Sequence, residues 1–319
     1  MRILFAGSPG IAVPALEALA SLCADAAGDF TLAGLLTNPD TPKKRSGNPE
    51  PTECAAALYR LLGEKVPVIK PEKLDSAARE QTAALKPDLL VSFAYGRFFG
   101  PKFLGLFPMG GINIHPSLLP KYRGPTPIPA AIIGKEHETG ITIQRLIAET
   151  DSGDIIVQEK VSLNGRETTA VLSDIMAEKA AVLLPAVLKK IACGNVNGIA
   201  QDPGAATYCS LINKEEGFIN WNMSAVDIDA RIRAFSPWPL SWTMHGNQQL
   251  LILKANCIEN GKTSASPGQV LGKDSDLGIL IQTGDGVLAV SELQYQSKKA
   301  LEWKTFLNGA RNFIGTQLG

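Results

Sequence analysis

The chain has 319 residues with 31 basic and 31 acidic side chains, a formal net charge of zero and an isoelectric point near 6.8. That balance excludes a domain that holds nucleic acid by bulk positive charge. A content of 45% hydrophobic and 19% charged residues excludes disordered and fibrous classes.

At about 100–200 residues per domain, the length predicts two domains. Met1-Arg2 leads into a short apolar run at 3–6, and no apolar stretch approaches the roughly 20 residues that span a bilayer. With five cysteines and no Cys-x-x-Cys spacing, the chain reads as a cytoplasmic protein with reduced thiols. In chain order the pattern predicts a strand at 3–6, a helix at 12–22, a strand at 31–36, helices at 54–62 and 74–85, and strands at 89–93 and 112–114. A short helix at 129–133, strands at 141–146 and from Ile155, and a long helix at 167–192 follow, with Pro185 expected to kink or divide the last. This βαβα alternation predicts a doubly wound, Rossmann-like, mostly parallel sheet. After Cys193-Gly-Asn-Val-Asn-Gly198 the texture changes to alternating apolar residues and turn signals such as Gly246-Asn247 and Gly284-Asp285-Gly286. All four tryptophans lie beyond residue 220. The expected division is therefore a first domain at 1–192, a linker at 193–206 and a β-rich second domain at 207–319.

Three features can carry chemistry. Gly7-Ser-Pro-Gly10 lies between the first strand and first helix, where a doubly wound fold cradles a phosphate, but it is not G-x-G-x-x-G and a plain tight turn is the favoured reading over a dinucleotide site. Asn113 and His115 stand two residues apart at the end of a strand, so both project from one face. An amide donor beside an imidazole suits acyl transfer, the amide binding a developing oxyanion and the imidazole adding a hydrogen bond and a proton. The bland alternative is a half-buried strand end with Asn capping a turn. A long irregular loop follows, through Ser117-Leu118-Leu119-Pro120 and Arg123-Gly124, a common setting for a pocket. Downstream, Asp151-Ser-Gly153 can supply a carboxylate that orients the imidazole or can be an ordinary turn. His137 and His245 have neither polar strand-end partners nor metal-ligand spacing.

Taken together, Asn113-x-His115, Ser117-Leu-Leu-Pro120 and Asp151-x-Gly153 resemble the signature of the 10-formyltetrahydrofolate-dependent formyltransferases. The resemblance implies that Asn113, His115 and Asp151 are the catalytic group, and that Ser117, Leu118, Leu119 and Pro120 belong to the folate site. It also implies that Phe93, Ala94, Tyr95 and Gly96 wall the pterin pocket. Beyond residue 200, Lys214-Glu-Glu-Gly-Phe-Ile-Asn-Trp221 and Arg233-Ala-Phe-Ser-Pro-Trp-Pro-Leu-Ser-Trp242 resemble the C-terminal domain of the family's methionyl-tRNA branch, a small OB-like β-barrel. That branch implies 10-formyltetrahydrofolate as cosubstrate, initiator methionyl-tRNA as acceptor, and no metal or NAD, since the reaction has no redox step. It implies no membrane partner, and a monomer is expected. Pro125-Thr-Pro-Ile-Pro129 departs from the family's usual Ala-Ala-Pro-Ile-Gln, removing a polar side chain near the site.

Split at residue 200, the two parts carry 21 basic with 20 acidic and 10 basic with 11 acidic residues. A tRNA partner would then rest on local cationic sites, with candidates at Lys43, Lys44 and Arg45, at Arg231 with Arg233, at Lys298 and Lys299, and at Arg311. Two other readings stay open: a sugar-nucleotide formyltransferase, and a folate- or nucleotide-binding module that transfers nothing.

Overall fold

The computed structural model describes residues 1–25, 28–42, 47–194, 196–258 and 264–319. The chain divides into two units: Met1–Pro127, Glu138–Ser162 and Ser173–Ser210 form the first, and Ile128–His137, Leu163–Leu172 and Leu211–Gly319 the second.

In chain order the elements begin with β1 (Arg2–Ala6), α1 (Val13–Cys23), β2 (Thr31–Leu36), a ribbon of β3 (Thr41–Pro42) and β4 (Pro49–Glu50), and α2 (Glu53–Leu62). Then come β5 (Val68–Ile69), α3 (Ser76–Ala84), β6 (Leu89–Phe93), α4 (Pro101–Leu104), β7 (Gly111–His115), α5 (Pro127–Ile133), β8 (Glu138–Arg145), β9 (Ile155–Ser162) and α6 (Thr169–Ala192). Seven strands make one sheet in the order β5-β2-β1-β6-β7-β8-β9. It is parallel from β5 to β7 and antiparallel at β7–β8 and β8–β9. Ile3, Leu4, Phe5 and Ala6 are all fully buried, as a central parallel strand covered on both faces requires. The chain moves outward from β1 to β2 and β5, then returns to the other side of β1 at β6. The crevice beyond the carboxyl ends of β1 and β6 is thus the topological switch point, where open α/β sheets receive ligands. Gly7 lies at that point because a β-carbon there would meet the Phe93 carbonyl oxygen at 2.9 Å.

The expected strands and helices are present with ends moved by at most three residues, whereas β3, β4 and β5 span two residues each and are too short to show a period. Pro185 does not divide α6, which runs unbroken through it. One missing N–H is outweighed there by burial of Met176, Ala180, Leu184, Leu188 and Ile191 along one side of the helix. The segment expected as a linker is stitched onto the first unit. Ile199 and Ile155 exchange both backbone hydrogen bonds at 2.8 and 2.9 Å, and Arg123 N donates to Thr207 O at 2.9 Å while Cys209 N donates to Arg123 O at 2.8 Å.

The second unit contains α7 (Ala225–Ala234), β10 (Ser241–His245), β11 (Gln248–Ile258), β12 (Val270–Asp274), β13 (Gly278–Gln282), β14 (Val287–Tyr295), β15 (Leu301–Glu302) and α8 (Trp303–Gly309). Its strands pair antiparallel in the order β10-β11-β14-β13-β12, with β15 on β14. Gly246, in the left-handed region, turns β10 into β11. Ser224 caps α7 by accepting from Asp227 N, and Ile228 and Ile232 of that helix join Trp221, Leu250, Leu288 and Phe313 in the core. The first half of the fold is thus the expected doubly wound α/β layer, and the second is an antiparallel β domain.

Candidate active site

The register of β7 with β8 assembles the site. Asn113 faces Gln144 across the two strands and His115 faces Thr142, so one face of β8 presents Thr142 and Gln144 while Ile141 and Ile143 point the other way. All four are buried. Beyond β8 the chain turns through Glu149-Thr-Asp-Ser-Gly153, where Asp151 takes a φ of 49°. Gly153 is demanded by close approach, since a β-carbon there would lie 1.9 Å from the Arg145 carbonyl oxygen.

This turn brings the Asp151 carboxylate onto both strand-end residues. Its Oδ1 accepts from Asn113 Nδ2 at 3.1 Å and from Gln144 Nε2 at 3.0 Å, and its Oδ2 accepts from Gly124 N at 2.8 Å. His115 Nδ1 stands 3.5 Å from the same Oδ2. The other imidazole nitrogen, Nε2, lies 2.8 Å from the Tyr122 carbonyl oxygen, an acceptor only, so Nε2 carries a proton. His115, at 4% exposure, is therefore held at both ends, while Asn113 keeps one amide hydrogen beyond its bond to Asp151. Asn113, His115 and the sequence-distant Asp151 meet in one cluster at the carboxyl end of β7, with Asn113 hydrogen-bonded to Asp151 and His115 within 3.5 Å of it. Such a cluster can bind an oxyanion, hold a charged imidazole and accept a proton.

The irregular loop is locked by its own bonds. Ser117 Oγ donates to Lys121 O at 2.6 Å, Thr142 Oγ1 donates to Ser117 O at 2.7 Å, and Gln158 Nε2 donates to Leu119 O at 2.6 Å. Ser117 and Leu119 are buried, whereas Leu118 and Pro120 line a cavity of about 330 Å³ with Lys121, Tyr122, Gln158 and Lys160. In the segment after β6, Phe93 and Tyr95 turn their rings into the core, where Tyr95 stacks on Phe99 at 5.3 Å. What that segment exposes is Ala94 and Gly96, both at positive φ, so it can offer backbone and not aromatic rings. Asn38 ties it down, donating to Tyr95 O at 3.1 Å and accepting from Arg97 Nε at 2.7 Å.

The cationic candidates separate. Lys43, Lys44 and Arg45 lie outside the described residues. Arg233 does not face outward as expected: it pairs with Asp229 at 2.9 Å and donates to Glu167 O at 3.1 Å, a geometry set by the four-residue spacing on α7. Arg231 likewise donates to Glu216 O at 3.0 Å and lies over the Phe235 ring. Lys298, Lys299 and Arg311 are exposed. Three residues absent from the expected site prove central: Arg123, Gln144 and Gln201, at 4%, 2% and 9% exposure. A polar residue alternating in phase with Thr142, with Ile141 and Ile143 between, was the available signal for Gln144; Gln201 carried none. Among the described residues no group of three or more His, Cys, Asp or Glu is placed to hold a metal ion, Cys23, Cys54, Cys193 and Cys209 are free thiols, and no helix is long and apolar enough to cross a membrane.

Residues 1–188 match the family model described as formyl transferase, and residues 211–311 match that described as formyl transferase, C-terminal domain. The chain is 46% identical to the methionyl-tRNA formyltransferase of Treponema denticola, over 98% of each chain. It is 42% identical to the methionyl-tRNA formyltransferase of Treponema pallidum, over 100% of this chain and 99% of that one. Among solved structures, the N-formyltransferase from Helicobacter canadensis in complex with folinic acid and dTDP-3-aminofucose shares the fold, with a TM-score of 0.64 at 20% identity over 91% of this chain and 99% of that one.

Proposed function

The chain belongs to the formyl transferase family, and from that premise we propose that it transfers the formyl group of 10-formyltetrahydrofolate to the α-amino group of methionine on initiator methionyl-tRNA. The observation that carries the choice of acceptor is end-to-end likeness to the Treponema enzymes, through both units. A reaction on aminoacyl-tRNA belongs to the cytoplasm, and the protein acts there as a monomer.

The cosubstrate supplies a formyl group whose carbonyl oxygen gathers charge as the amine attacks. The second amide hydrogen of Asn113 is directed to that oxygen. His115 adds the Nε2–H that in the free protein rests on the Tyr122 carbonyl at 2.8 Å, exchanging one acceptor for another as charge develops. Asp151, 3.5 Å from the imidazole, keeps its orientation and takes, directly or through water, the proton that the neutral amine sheds once it has bonded to the formyl carbon. As the tetrahedral adduct collapses, the bond from that carbon to N10 breaks, and N10 takes up a proton and leaves as tetrahydrofolate. The exposed backbone at Ala94 and Gly96, beside the switch-point crevice, receives the pterin, and Lys298, Lys299 and Arg311 meet tRNA phosphates.

The test is a formyl-transfer assay with 10-formyltetrahydrofolate that offers charged initiator tRNA, charged elongator tRNA and an amino-sugar nucleotide in parallel. Transfer to charged initiator tRNA is expected, and transfer to the sugar nucleotide alone would overturn the reading. In the same assay His115→Ala and Asp151→Asn each lower kcat by about 10²–10⁴-fold with the fold intact by circular dichroism; full turnover in either variant removes that residue from the chemistry.

A further inference from the structure

Asp151 stands in the left-handed region, which a residue with a β-carbon adopts at a cost, so something must hold it there. The holding group comes from the segment beyond Ile199. The two hydrogens of Gln201 Nε2 are shared among three oxygens that span the turn, the Asp151 carbonyl at 2.9 Å, the Gly153 carbonyl at 2.7 Å and, as the longest contact, Gln144 Oε1 at 3.1 Å. Gln201 Oε1 accepts from Arg123 Nε at 3.1 Å and Nη2 at 2.8 Å, and Arg123 Nη1 donates to the Tyr208 hydroxyl at 3.2 Å.

The direction of this chain is not free. A guanidinium has donors and no acceptor, so Gln201 must turn its oxygen to Arg123 and its amide nitrogen to the turn. Gln144 must then present its oxygen to Gln201, which leaves its amide nitrogen for Asp151 Oδ1 at 3.0 Å. Reversing either amide would set acceptor against acceptor in a site that water does not reach, where an unmatched polar group is costly. The buried Arg123 charge at one end and the acceptor-only Asp151 carboxylate at the other thus order the two amides in one sense, with the Gln144 donor on the carboxylate that orients His115.

We infer that Gln144 and Gln201, oriented by Arg123, are positioning residues for formyl transfer, setting the side chain and the backbone of Asp151. The inference rests on the proposed reading of Asp151, and three variants test it. Gln144→Met keeps the volume and removes the donor. Gln201→Glu keeps the shape and the bond to Arg123 but sets a carboxylate against the carbonyls of Asp151 and Gly153. Gln144→Met lowers kcat about 10-fold, the scale of one charge-assisted hydrogen bond, with KM for both substrates within two-fold. Gln201→Glu falls further than Gln144→Met. A merely structural role would let the isosteric Gln201→Glu, with its stronger pair to Arg123, pass unharmed. Wild-type kcat in both variants overturns the inference, and should Gln201→Glu not fold, Gln144→Met decides alone.

A readout without substrate separates this from the functional reading. Arg123→Met is expected to move the side-chain amide resonances of Gln144 in a ¹⁵N–¹H spectrum, though the bonds linking the two run through Gln201. If the wild-type protein transfers formyl to none of the acceptors, the functional reading fails while this spectrum still tests the relay. Unmoved Gln144 resonances overturn the relay whatever the activity.

Discussion

Within the site, single residues divide between those that face a ligand and those that hold the ones that do. Tyr95 belongs to the second kind, since its ring points into the core and away from any pocket that its segment walls. At 2% exposure its ring lies among Leu4, Leu36, Leu90, Phe99 and Phe103, and its hydroxyl has no hydrogen-bond partner among the described residues. Burial pushes the phenol up to about 12, so it stays neutral and its polar atom gains nothing from ionising. Removing an unsatisfied buried hydroxyl while keeping the ring is close to neutral or stabilising. Tyr95→Phe is therefore expected to leave the urea unfolding midpoint unchanged or raise it, by up to about 1 kcal/mol in stability. A loss of 2 kcal/mol or more would mean that the hydroxyl has a partner in the folded protein.

Among the elements, the turn between β8 and β9 determines whether a strand end becomes a site. The two strands pair from Glu138 with Ser162 to Gln144 with Ile155, which places their connection beside the end of β7. Arg145 N donates to Asp154 O at 2.8 Å, closing the turn so tightly that only glycine fits at 153. Gly153→Ala cannot be met by moving a side chain, because the obstacle is the backbone carbonyl of Arg145. The turn must open, and Asp151 moves with it. The expected result is a loss of about 1–3 kcal/mol, the range for overpacking, together with a fall in kcat of at least 10-fold in the formyl-transfer assay. Preserved kcat at reduced stability would show that the turn relaxes without disturbing Asp151. The element scale also explains what periodicity left out: Asn113 and Gln144 meet only because β8 runs antiparallel to β7, and no pattern within either strand states that direction.

Over the whole molecule, a response to pH is assigned to one of the two units. In the second, His245 donates or accepts at Nδ1 with the Tyr295 hydroxyl at 2.7 Å, its ring edge-on to Phe313, and burial holds its pKa below the ordinary 6.5. A depressed imidazole favours the neutral form in the folded state, so its contribution is complete above pH 6.5 and is lost as pH falls through the lowered value. The Tm of the wild type is thus expected to fall between pH 7 and 5 more steeply than that of His245→Phe; equal slopes would assign the pH dependence to other groups. Sequence by itself determined the α/β and β-rich halves, the Asn113–His115 pair on one strand face, and the resemblance that named Asp151. These follow from periodicity, strand alternation and local motifs, which act over a few residues. Tertiary structure alone decided that the segment at 193–206 is part of the first unit, that Arg233 is bound to Asp229, and that Arg123, Gln201 and Gln144 close on Asp151. Those contacts join residues up to 86 positions apart. Their partners are chosen by sheet order, strand direction and the need to satisfy buried polar groups, none of which is written in any one stretch of the chain.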